Sequence, residues 1–144
     1  MNKMIASAVL VSAAACGKAP QEAAPTAGAA VSVAAAPAQS PEEAGRIAFR
    51  ACAICHTVTD PAAPDAQRLV GPSLYKIYGS PSARDAEFAY STAMRAANLT
   101  WDEATLDAFM AEPNKVVPGT RMAYVGEREA EKRAALIAYL KTLQ

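Results

Sequence analysis

At 144 residues the chain holds one domain plus appendages. Lysine and arginine together match aspartate and glutamate at 14 each, so there is no net field of the kind that draws a protein to nucleic acid. Partners have to be read from sites, not from bulk charge.

The N-terminus reads as an export signal. Lys3 supplies a positive start, residues 4–11 an apolar stretch, and Ser12-Ala13-Ala14-Ala15 the small residues a signal peptidase requires, so residues 1–15 are expected to be removed. With about twelve apolar residues the segment is too short to cross a hydrocarbon layer of ~30 Å. Cys16 follows directly, and the run Ser12 to Gly17 resembles a bacterial lipobox, with Ala13 where leucine or valine is usual. The alternative is plain cleavage after Ala13-x-Ala15 with Cys16 left as a thiol. Lipidation is the preferred reading, because an unpaired cysteine is a liability in an oxidising compartment. Acyl chains on Cys16, at ~0.8 kcal/mol per buried CH₂, would anchor the protein to a membrane without spanning it.

Residues 17–39 are dominated by alanine with Pro, Gly, Gln and Ser, and contain no Leu, Ile, Phe, Tyr or Trp. Such a segment cannot bury enough apolar surface to offset its ordering entropy, and Pro20, Pro25 and Pro37 divide any alanine helix into pieces too short to persist. Residues 16–40 are therefore expected to form a flexible tether behind the lipidated cysteine, with an average span of ~25 Å.

The folded domain is expected at residues 41–144. Ser40-Pro41-Glu42-Glu43 is a capping box with proline at the first helical position, which predicts a helix from Pro41 onward. That helix runs into Cys52-Ala53-Ile54-Cys55-His56, a C-x-x-C-H run and the attachment pattern of a c-type haem. Two thiols three positions apart on a helical turn project to one side and can each meet a vinyl group of one porphyrin. His56 follows as the only histidine in the chain and can offer an imidazole nitrogen to the iron. A zinc site would need two further Cys or His ligands, and only the distant Cys16 remains. A thioredoxin-like pair would need βαβ patterning, which is missing. Export suits this motif, since c-type maturation takes place on the far side of the membrane.

Beyond the motif, Asp60-Pro61 and Pro64-Asp65 mark a loop over residues 56–70. A short helical piece is expected at residues 74–78 and a helix at about residues 85–97. Thr100-Trp101-Asp102-Glu103 predicts a second capping box, opening a helix with Trp101, Leu106, Phe109 and Met110 inward and ended by Pro113. A last helix is expected at about residues 128–143, with Leu136, Tyr139, Leu140 and Leu143 at three- and four-residue spacings. No segment keeps a period-two alternation of β-branched residues, so the domain reads as all-α. Its core is modest for about 104 residues, and a buried porphyrin would supply the missing apolar mass.

Gly45 and Phe49 before the C-x-x-C-H run, then Gly71-Pro72, Tyr90, Trp101, Pro118-Gly119-Thr120-Arg121-Met122 and residues 136–140, Leu-Ile-Ala-Tyr-Leu, resemble the class I cytochromes c in order and spacing over the whole of residues 41–144. The resemblance implies the class I cytochrome c fold, four to five helices around one covalent haem c. It also implies that Gly45 and Phe49 pack against Leu136 and Tyr139, that the Pro72 carbonyl accepts the second imidazole N–H of His56, and that Tyr90 and Trp101 hydrogen-bond a haem propionate. Met122 is implied as the sixth iron ligand. Of the other methionines, Met1 and Met4 lie in the signal, while Met94 and Met110 fall within expected helices as core fillers.

There are departures from the family. Ser80 stands where many relatives carry an arginine beside the propionates, with Arg84 as a substitute, and Phe109 stands where a tyrosine often approaches the axial sulfur. The dense lysine ring of mitochondrial forms is absent, which leaves Lys76, Lys115 and Arg121 as candidates near the haem edge. The expected function is one-electron transfer by a monomeric, lipid-anchored periplasmic carrier, between a quinol-oxidising complex and a terminal oxidase or periplasmic reductase. The alternatives are a haem enzyme or gas-binding module, which would need an open sixth position, and a dedicated electron-entry subunit of one enzyme.

Overall fold

The computed structural model describes residues 39–144; the signal, Cys16 and all but the end of the expected tether lie outside the described residues. The described chain forms α1 (Pro41–Ala48), a 3-10 helix (Phe49–Ile54), α2 (Thr92–Ala96), α3 (Glu103–Ala111), α4 (Pro113–Val116) and α5 (Ala130–Lys141). Among the described residues the only β pairing is an isolated antiparallel bridge between Pro81 and Thr100. The all-α expectation therefore holds. No described helix is long and apolar enough to cross a membrane.

Helix α1 begins at the expected cap, the Ser40 hydroxyl accepting from the Glu43 amide at 3.2 Å. The Glu43 carboxylate, however, accepts from Arg46 at 2.7 and 2.8 Å, and no bond from it back to the Ser40 amide is formed. Pro41 occupies the first turn, where its missing N–H costs nothing. Its apolar face crosses α5. Gly45 permits the crossing, because a Cβ there would stand 1.9 Å from the Ala135 carbonyl oxygen and 2.8 Å from the Tyr139 Cβ. One turn on, the rings of Phe49 and Tyr139 meet at 5.3 Å between centroids. The expected packing of the first helix on the last is thus observed, with backbone against backbone at Gly45.

The core gathers Phe49, Ile77, Met94, Trp101, Leu106, Phe109, Val117, Leu136, Ile137 and Leu140. Trp101 lies on Phe109 at 5.0 Å, and among the described residues no polar side chain is buried. Met94 is the core filler its sequence position suggested.

Three local expectations need correction. Residues 74–78 form turns rather than helix, and helix within residues 85–97 is confined to Thr92–Ala96. Ser91 is the cap of that short helix, its hydroxyl accepting from the Met94 amide at 3.0 Å. Upstream, Arg68 pairs with Glu87 at 2.7 Å and with Asp85 at 3.6 Å, which ties residues 85–87 to the preceding loop in a non-helical path. The second capping box shifts by two residues as well. Thr100 is engaged in the bridge with Pro81, and Asp102 caps α3 by accepting from the Thr105 amide at 2.8 Å. Pro113 interrupts the chain after α3, as expected, and it also opens α4.

Candidate functional site

The C-x-x-C-H run closes the 3-10 helix. With three residues per turn, positions i and i+3 eclipse, so Cys52 and Cys55 lie on one side of it. The carbonyl of Cys52 accepts from the amides of both Cys55, at 3.0 Å, and His56, at 2.9 Å, which locks the turn. Both cysteines are half-buried and form no disulfide, and burial pushes the Cys52 thiol up from its ordinary range. A thiol held neutral in this way is a poor redox partner for its neighbour.

His56 is positioned from the far side of the loop. Its Nδ1 lies 2.8 Å from the Pro72 carbonyl oxygen; that oxygen carries no proton, so Nδ1 donates and Nε2 keeps its lone pair. The loop is drawn in by backbone bonds from Gly71 to the Cys55 carbonyl and from Leu74 to the Thr57 carbonyl, each 2.8 Å. Gly71 must lack a side chain, since a Cβ would stand 2.5 Å from the imidazole Cε1 and 2.8 Å from the Cys55 carbonyl oxygen. Burial lowers the proton affinity of His56, and the hydrogen bond to Pro72 opposes this only in part. The ring is therefore neutral and available as a metal ligand near neutral pH.

Cys52, Val58, Leu74, Tyr90, Leu99 and Met122 pack against the core while remaining half-buried. Met122 comes after a turn in which the Thr120 amide donates to the Val117 carbonyl at 3.0 Å and Gly119 takes φ 88°, a left-handed value that favours glycine. Tyr90 lines a cleft with Ser91, Gly119 and Arg121, which brings it beside that turn, and burial pushes its hydroxyl up. Trp101 is buried, with its backbone tied to Ser80 at 2.8 Å.

Arg84 donates to the Tyr75 carbonyl, and Ser80 to the Ile77 carbonyl at 2.7 Å. Lys115 pairs with Glu112 at 2.9 Å, while Arg121 is exposed at the cleft. Sequence reasoning missed Tyr124, whose hydroxyl shares its surroundings with Cys52, Glu127 and Lys132. It also missed Gly126 and Arg133, which secure the segment beyond Met122. Only the lone Gly126 carried any signal.

Among the described residues no group of three or more His, Cys, Asp or Glu stands together to hold a bare metal ion. A C-x-x-C-H turn with its one neutral imidazole held by Pro72 suits haem iron instead. An all-α domain built on such a turn defines a c-type haem protein.

Known proteins agree with this assignment. The chain is 44% identical over 98 residues to cytochrome c2 of Rhodomicrobium vannielii, across 68% of this chain and 75% of that protein. It is 36% identical over 109 residues to cytochrome c2 of Rhodopila globiformis, across 76% of this chain and 98% of that one. Among solved structures, cytochrome cH from Methylobacterium extorquens superposes with a TM-score of 0.63 at 36% identity, over 70% of this chain and 97% of that chain. No family model matches the chain. The chain belongs to the class I cytochromes c: it carries one covalent haem c and is a monohaem electron carrier rather than an enzyme.

Proposed function

We propose that this cytochrome is a periplasmic, membrane-tethered carrier of single electrons. Its donor is a quinol-oxidising complex and its acceptor a terminal oxidase or periplasmic reductase. Residues 1–15 act as the signal, residues 16–40 as lipidated N-terminus and tether, and residues 41–144 as the monomeric cytochrome domain. Cys52 and Cys55 would hold the haem by thioether bonds, and His56 and Met122 would supply the protein ligands to its iron. The observation that carries the reading is the 2.8 Å bond from His56 Nδ1 to the Pro72 carbonyl, which leaves the other ring nitrogen, Nε2, with its lone pair as a metal donor.

Haem, when bound, supplies a one-electron iron couple. The chain's own residues decide how it is used. Pro72 keeps His56 in one tautomer and one orientation, which limits rearrangement on electron transfer. Met122 would supply a soft, neutral thioether to the iron, a ligand that favours the reduced metal and would leave oxygen and substrates no open place on it. Tyr90 and Trp101 would donate hydrogen bonds to a propionate, the condition on which a carboxylate is tolerated at the edge of an apolar pocket.

Two experiments test this reading. Haem is expected to stay on the polypeptide through acid-acetone extraction and denaturing electrophoresis with haem staining, and a Cys52→Ser, Cys55→Ser double variant to lose it. Haem released from the wild type by acid acetone would refute attachment at these cysteines. For the tether, the wild type is expected to sediment with membranes, and Cys16→Ser to be recovered as a soluble periplasmic form that still holds haem. Wild type found wholly soluble after export would remove the anchor and leave the electron-transfer function standing.

A further inference from the structure

Beyond Met122 the chain is fastened to α3 around Gly126 and Glu127, and one side chain ties that fastening to both α3 and α5. Gly126, at φ 101°, returns so close to α3 that a Cβ would stand 2.0 Å from the Ala111 carbonyl oxygen. The next amide, Glu127, donates to the Met110 carbonyl at 2.8 Å. Arg133, near the start of α5, spans this junction. Its Nη1 donates to the carbonyls of Glu127 at 2.9 Å and Arg128 at 3.1 Å, while Nε and Nη2 donate to the two carboxylate oxygens of Asp107 on α3 at 2.7 and 3.3 Å. The Arg133 side chain is only 12% exposed, and its neighbour Lys132 pairs with Glu127 at 2.6 Å.

A planar guanidinium can make these bonds at once and a lysine cannot, so the loop carbonyls are referenced to two packed helices through one rigid fork. Between Met122 and this junction Ala123 is exposed, Val125 is 98% exposed and Tyr124 is half-buried, so the segment has few buried contacts of its own. Segments with few buried contacts open locally far more readily than the fold unfolds, and their opening is set by their anchor points.

We infer that Arg133 is a positioning residue for Met122: with Asp107 it forms a latch that sets how often the loop opens and withdraws the thioether. The inference rests on Met122 as the axial ligand. Arg133 itself touches neither the metal-binding atoms nor the thiol turn.

The test uses the oxidised holoprotein mixed with excess imidazole, followed by stopped-flow absorbance. At saturating imidazole the replacement rate equals the rate at which Met122 leaves. Arg133→Gln is expected to raise that rate roughly tenfold, the scale of a lost charge-assisted hydrogen-bond set. Asp107→Asn should raise it less, because the bonds to the loop carbonyls stay. Arg133→Lys should recover little, since an ammonium cannot reproduce the fork. Glu103→Gln is the control. It removes another α3–α5 ion pair, the 2.6 Å contact with Lys141, which touches no part of the loop, and should leave the rate unchanged.

An intact iron–sulfur band with an unchanged rate in Arg133→Gln overturns the latch alone. A wild type that lacks the band overturns the ligand assignment and the latch with it. If Arg133→Gln does not retain haem, amide exchange in Asp107→Asn decides: faster exchange at Glu127 with unchanged exchange at Leu106 supports the latch, and equal exchange at both overturns it.

Discussion

Met122→Ala is expected to yield a folded haem protein that has lost its weak long-wavelength iron–sulfur band. Its reduction potential should fall by on the order of 0.1 V, a fraction of the ~0.8 V span that axial ligation commands. The reduced variant should also bind CO promptly, which the wild type should not do near neutral pH. The fold is expected to survive because thioether attachment at Cys52 and Cys55 and ligation by His56 do not depend on Met122. A methionine-to-alanine change costs about 2–5 kcal/mol even when fully buried, within a typical stability of ~5–15 kcal/mol. The chemical effect is therefore read on a folded protein, which far-UV circular dichroism verifies. Rapid CO binding by the wild type, with no change in the variant, would show that Met122 is not the ligand.

What the sequence made legible was local. The Ser40 cap needs four consecutive residues, the thiol turn five, and the Pro118-Gly119-Thr120 turn before Met122 three; each is found as its own chemistry requires. The bond from His56 to Pro72 joins residues 16 apart, and it was expected only because a family resemblance carried it. Where local signals competed, the structure chose by long-range contacts. Residues 85–90 carry helix-compatible composition, yet Arg68 captures Asp85 and Glu87, and the Phe88 and Tyr90 rings meet edge to face at 4.8 Å. Thr100 and Asp102 are both competent caps, and the bridge to Pro81 decides between them.

The latch between Asp107 and Arg133 shows the limit most plainly. The two residues are 26 apart, and each alone reads as an ordinary charged helix position. Only the fold turns them into a pair, and only the return of Gly126 against Ala111 puts the loop carbonyls within reach of the same guanidinium.

Gly45→Ala is expected to destabilise the holoprotein strongly, against the ordinary rule for helices. An exposed helical glycine gains about 1 kcal/mol on replacement by alanine. Here the new Cβ would meet the Ala135 carbonyl oxygen at 1.9 Å, an atom of the α5 backbone that no rotamer change can move aside. Either α1 or α5 must shift, which strains the adjoining Phe49–Tyr139 contact and places the cost at or above the ~3 kcal/mol upper end usual for overpacking. The net loss is then about 2 kcal/mol or more, and at ~4–8 °C per kcal/mol for a domain of this size the melting temperature should fall by roughly 8–16 °C. Gly79→Ala supplies the contrast. Gly79 has φ 75° and nothing within 4 Å of a built Cβ, so it costs only the left-handed backbone penalty of ~1–2 kcal/mol. The ordering Gly45→Ala below Gly79→Ala below wild type, read from thermal melts of the haem-loaded protein, supports a helix crossing sealed backbone to backbone. A Gly45→Ala protein that melts above the wild type would show that α1 and α5 do not meet at this residue.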